Sequence, residues 1–101
     1  MIQSFDNTLT EKVFNGEILI KKERKACSDL NLANAQQALK VLDKSTEKQL
    51  LTTPSLAYHR LSGMNRYSID ANGRKSKWRI TFTWVDSEKT DVELVKIEDT
   101  H

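Results

Sequence analysis

A chain of 101 residues with 38% hydrophobic and 30% charged side chains reads as one soluble domain, residues 1–101, far from a disordered composition. Its formal net charge of +2 does not by itself mark a polyanion binder, and its one cysteine, Cys27, excludes an internal disulfide and a cysteine zinc site. No apolar run is long enough to span a bilayer, and Met1–Asp6 has neither the basic start nor the apolar stretch of a secretory signal, so the expected setting is the cytoplasm, away from membranes.

In chain order, Ile2–Phe5 is either an edge strand or the lead into a helix. Thr8–Asn15 is predicted helical: Leu9, Val13 and Phe14 share a face, Asn7 or Thr8 can cap the first turn, and Gly16 follows as a left-handed terminator. The segment Lys21–Lys44 contains no glycine or proline and is rich in helix formers. It reads as one helix from about Arg24 or as two pieces divided near Asn31. Leu32, Ala35, Leu39 and Leu42 make one buried stripe. Cys27 reads as a small buried helix residue, and the basic cluster Lys21, Lys22, Arg24 and Lys25 as solvated surface. Ser45–Thr46 can begin a further turn carrying Leu50 and Leu51, which Pro54 ends.

The second half is strand-like at Leu56–Leu61, Arg66–Ala71, Lys77–Trp84 and Asp91–Glu98. Gly63, the pair Asn72–Gly73, and Asp86–Lys89 lie in the joining segments. In Lys77–Trp84 the residues Trp78, Ile80, Phe82 and Trp84 alternate strictly with Lys77, Arg79, Thr81 and Thr83. That period of two gives one aromatic face and one basic, hydroxylic face. A strand holding both tryptophans of the chain is expected at the centre of a sheet. Helices first and a meander afterwards predict an α+β fold, with N-terminal helices packed on one face of a small C-terminal antiparallel β-sheet. Between Arg60 and Arg79 bases dominate, and from Asp86 to Asp99 acids do. The plain reading of that contrast is opposite charges paired across neighbouring strands.

Candidate chemistry is sparse. Only His59 and His101 can act as acid or base near neutral pH without a perturbed pKa. On an extended C-terminal end Asp99 and His101 point the same way. If that end stays in the sheet, both would lie near Arg79. These groups are the parts needed to cleave RNA through its own 2′-hydroxyl: a base for the 2′ proton, a cation for the phosphorane and an acid for the leaving 5′ oxygen. No metal site is expected, because no carboxylates stand at magnesium spacing.

Five blocks in order resemble the HigB-like (plasmid maintenance system killer) toxins of the RelE superfamily. They are the start, Met1-Ile2-Gln3-Ser4-Phe5 with Phe14-Asn15-Gly16-Glu17, then Tyr58-His59-Arg60-Leu61-Ser62-Gly63, Tyr67-Ser68-Ile69, Trp78-Arg79-Ile80-Thr81-Phe82, and the ending from Val92 through Asp99-Thr100-His101. The resemblance implies a RelE-like toxin fold and a ribosome-dependent mRNA endoribonuclease working without metal or other cofactor at the decoding site. It also implies a HigA-type helix-turn-helix antitoxin as partner, with operator DNA bound only through that antitoxin. Carried over by position, it implies His59, Arg79, Asp99 and His101 as catalytic residues. Arg60, Ser62, Arg66, Lys77 and Thr100 are implied on the substrate side. Two positions depart from the family: Thr100 stands for its closing tyrosine and Ser62 for a phosphate-binding lysine, whose charge Arg60 or Arg66 could replace. A non-enzymatic toxin on the same fold, such as a ParE-like gyrase inhibitor, or a weakened toxin that only binds, is the alternative expectation.

Overall fold

Alternation in the sequence becomes the centre of the structure. In the computed structural model, which describes residues 1–73 and 75–99, the strand β3 (Trp78–Trp84) has a neighbour on each side. β1 (His59–Arg60), β2 (Tyr67–Asp70), β3 and β4 (Val92–Asp99) form one antiparallel sheet in that order. Ahead of it come four helices among the described residues: α1 (Thr8–Asn15), α2 (Lys21–Ala26), α3 (Leu32–Lys44) and α4 (Glu47–Leu51). The fold is α+β. None of these helices is long and apolar enough to cross a membrane.

The two faces of β3 part as the period of two requires. Ile80 and Phe82 are fully buried and Trp78 and Trp84 nearly so, in one core with Ile69, Val92, Val95 and Ile97 of the neighbouring strands. The same core takes in Val13 of α1, Ala35, Ala38, Leu39 and Leu42 of α3, and Leu50 of α4. Val13, Leu39 and Leu42 thus bury their side chains, but Leu32, the first residue of the predicted stripe, stays exposed at 37%. Leu32 sits at the first position of α3, ahead of the turn that meets the core.

The Ile2–Phe5 segment is an edge segment. It runs parallel to β4 through bridges at Ile2–Val92 and Phe5–Val95, with Gln3 N–H and Asp6 N–H donating to the Val92 and Val95 carbonyls at 2.8 Å. The Lys21–Lys44 segment divides into two helices. Asn31, whose side chain accepts from Asn34 N–H, caps the second. Asparagine offers the backbone this alternative to continuing a helix. Cys27 is buried at the C-cap of the first, its thiol donating to the Glu23 carbonyl. The strand expected at Leu56–Leu61 shrinks to His59–Arg60, because Pro54–Leu56 forms a 3₁₀ turn and Ala57 takes φ 51°.

A bulge breaks the β3–β4 ladder. Thr81 pairs with Lys96 but Thr83 with Glu93, so two β4 residues, Leu94 and Val95, oppose Phe82 alone. Leu94 adopts φ 53° there.

Candidate functional site

Register assigns the polar face of the sheet row by row. Residues directly opposite in an antiparallel pair share a face. One row is His59–Ser68–Thr81–Lys96, and the next is Asp70–Arg79–Glu98. The opposite-charge pairing expected from the acidic and basic stretches is therefore present: Arg79 stands between two acids.

Arg79 is held firmly. Its Nε lies 3.2 Å from Asp70 Oδ1, and its Nη1 donates to the carbonyls of Ser76 and Trp78. The side chain is 18% exposed and that of Asp70 only 4%. Nη2 has no hydrogen-bond acceptor among the described residues. Arg66 crosses the same face as a strap, its two terminal nitrogens donating to Thr83 Oγ1, Thr81 Oγ1 and the bulge carbonyl of Leu94. Thr81 is fully buried and donates to Glu98 Oε2 at 2.6 Å. Long charged side chains thus cover a hydroxyl-bearing floor.

His59 is exposed on the same face, with Nδ1 2.8 Å from the Ala57 carbonyl oxygen. A carbonyl oxygen only accepts, so this contact requires a proton on Nδ1, and in the neutral ring Nε2 is then the free acceptor. That is the tautomer a general base needs. From the register, His59 and Arg79 are two strands and one row apart, about 12 Å between backbones. Arg60 is exposed, its Nε donating to the Met64 carbonyl, and Ser62 is exposed in the β1–β2 turn.

Asp99 is not where the extended end of the chain predicted it. It pairs with Trp78, on the face opposite Arg79, whereas Glu98 is the carboxylate beside Arg79. The bulge is the reason. One extra residue at Leu94 inverts the parity of everything after it, so a residue counted onto one face from Val92 arrives on the other. Asp99 lies 3.8 Å from Lys77 Nζ, which also pairs with Asp29 at 3.1 Å. Asp29 accepts in addition from the Trp78 indole N–H at 2.9 Å. That hydrogen bond and the one from Lys77 hold the Asp29 carboxyl below its ordinary range, and Asp29 raises Lys77 in turn. Thr100 and His101 lie outside the described residues.

The structure therefore brings His59, Arg66 and Arg79 onto one face and sets Lys77 and Asp99 apart from them. Sequence reasoning passed over Asp70, Thr81 and Glu98. Asp70 and Glu98 stand in strands whose register to β3 depends on turn length and on the bulge, so spacing alone could not align them. Among the described residues no three histidine, cysteine or carboxylate groups are gathered to hold a metal ion. Compared with known proteins, the chain matches no family model, no curated sequence and no solved structure.

Proposed function

We propose that this chain is a HigB-like toxin of the RelE superfamily, with its N-terminal helices on one face of a RelE-like sheet. It acts as a ribosome-dependent endoribonuclease that cleaves mRNA in the decoding site and so inhibits translation. The observation that carries the reading is that the four C-terminal sequence blocks of the resemblance fall on four successive strands, and their register puts His59, Arg66 and Arg79 on one polar face.

On this reading His59 Nε2 takes the 2′ proton of the RNA. The Nη2 edge of Arg79 meets the charge that builds on the phosphorane, and Arg66 and Lys96 add positive charge along the same face. The resemblance assigns to His101 the protonation of the leaving 5′ oxygen and to Thr100 a place on the substrate side. Asp99 reaches the chemistry only through its neighbours, given its face. Arg60 shares the row of Tyr67 on the opposite face and Lys77 pairs with Asp29 and Asp99, so these two, with Ser62, meet the RNA backbone from the margin of the site. The chemistry runs in the cytoplasm without a metal or other cofactor. A HigA-type helix-turn-helix antitoxin neutralises the protein and brings it to operator DNA.

The position of Asp99 beside Lys77, on the face opposite Arg79, favours one competing reading, a toxin on this fold that binds without cutting. Primer extension on mRNA after induction separates the two. Wild type is expected to yield new 5′ ends in translated messages, and His59→Ala and His101→Ala are expected to lose them while remaining folded. Growth arrest with intact mRNA, or inhibition of gyrase supercoiling by the purified protein, would overturn the nuclease reading.

A further inference from the structure

We infer that Asp70 is the positioning residue for Arg79, holding one edge of the guanidinium so that the Nη2 edge is left for a phosphate oxygen. The inference rests on the phosphate-contacting role proposed above for Arg79.

Two carbonyls, of Ser76 and Trp78, accept from Nη1, and the carboxylate oxygen Asp70 Oδ1 forms an ion pair with Nε at 3.2 Å. A guanidinium has five N–H donors in one planar fork. The hydrogen bonds at Nη1 and the ion pair at Nε together therefore set the direction of the N–H groups on Nη2. The two carbonyls belong to the chain entering β3 and come with the fold. Asp70 does not.

A carboxylate at 4% exposure at the end of β2 is costly, and a buried ion pair replaced as a whole by apolar residues of similar volume often leaves stability unchanged or improved. Its second oxygen, Oδ2, has no hydrogen-bond partner among the described residues, so among them the carboxylate ties down Arg79 alone. The pair is also asymmetric in exposure. Asp70 is sealed, while Arg79 keeps 18% of its side chain open. A sealed anion behind a partly open cation orients that cation more than it neutralises it for a ligand arriving from solvent. Preorganised donors of this kind act chiefly on the transition state, because they cost no reorganisation when charge develops.

The test compares Asp70→Asn, Asp70→Glu and Arg79→Lys with wild type in ribosome-dependent mRNA cleavage, at a temperature where circular dichroism shows each variant folded. Asp70→Asn keeps the shape but not the charge. It is expected to lower kcat about 100-fold with KM unchanged, as for a misplaced reacting group. Asp70→Glu is expected to recover part of the rate, and Arg79→Lys none of it, because an ammonium cannot be held by one edge and present another. Wild-type kcat in folded Asp70→Asn would overturn the inference, and so would a change in KM alone. Absence of cleavage by wild type counts against the nuclease reading only. The inference is then decided by nuclear magnetic resonance of the arginine side chains during titration with inorganic phosphate. Phosphate is expected to shift the Arg79 Nη signals in wild type but leave the Nε–H signal, paired with Asp70, in place, and to shift both in Asp70→Asn. Identical responses in the two proteins would overturn it.

Discussion

Tyr58, the residue before His59, is tied to α4 and to β3. Its hydroxyl donates to Glu47 Oε2 at 2.6 Å and accepts from the Trp84 indole N–H at 3.0 Å, while Lys89 reaches the same Glu47 oxygen at 3.2 Å. Burial, and then the bond to Glu47, push the Tyr58 phenol well above its ordinary value. The Tyr58 bond, with help from Lys89, holds the Glu47 carboxyl below its own. A carboxylate whose folded pKa is depressed adds stability above its unfolded pKa and loses it as pH falls through the folded one. Wild type is therefore expected to lose melting temperature more steeply than Glu47→Gln between about pH 6 and pH 3, as thermal scans across pH would register. Tyr58→Phe, which takes the acceptor from the Trp84 indole N–H and leaves Glu47 to Lys89, should cost about 1–3 kcal/mol in denaturant unfolding. It should also weaken any function that depends on His59.

At the scale of elements, local chemistry was legible where one residue decides it. Asn7 caps α1 through Thr10 N–H, and Gly16 ends the helix at φ 71°. Gly16→Ala is expected to destabilise by about 1–2 kcal/mol, because an L residue is strained at that φ and its Cβ would press on Gln36 Nε2 at 3.1 Å. Urea unfolding would measure it. The central strand was legible too, since KWRITFTW admits no other period. The face of Asp99 was not. Apolar residues at Val92, Leu94, Val95 and Ile97 are compatible with either parity, and only the pairing to β3 reveals which residue is the extra one. Leu94 is 43% exposed and sits at φ 53°, so Leu94→Asn should be neutral or stabilising by up to about 1 kcal/mol, the reverse of an ordinary leucine substitution. The short first strand was lost to the sequence for a similar reason. The left-handed turn at Ala57 carries no glycine or asparagine signal.

Across the whole molecule one apolar cluster connects helices and strands, and Phe82 lies at its aromatic centre, its ring 5.5–6.2 Å from those of Trp84, Tyr58 and Tyr67. Phe82→Ala should cost about 3–5 kcal/mol and lower the midpoint of helix and sheet signals together, since no part of the core is independent of it. The site was less legible than the core. Its basic residues could be named from the sequence, whereas the acids that hold them, Asp70 above all, needed the register. The two tryptophans give this architecture an optical consequence. They cap opposite ends of β3, each 9% exposed. Trp84 has two tyrosine rings at 6.4 Å, and Trp78 has the Asp29 carboxylate on its indole nitrogen. Excitation of the tyrosines will therefore sensitise emission mainly from Trp84. Trp78 emission will follow the charge state of Asp29 and the ligands that arrive beside it. Trp84→Phe and Trp78→Phe separate the two signals, so the chain contains its own pair of fluorophores, one reporting the core and the other the end of the sheet nearest the proposed chemistry.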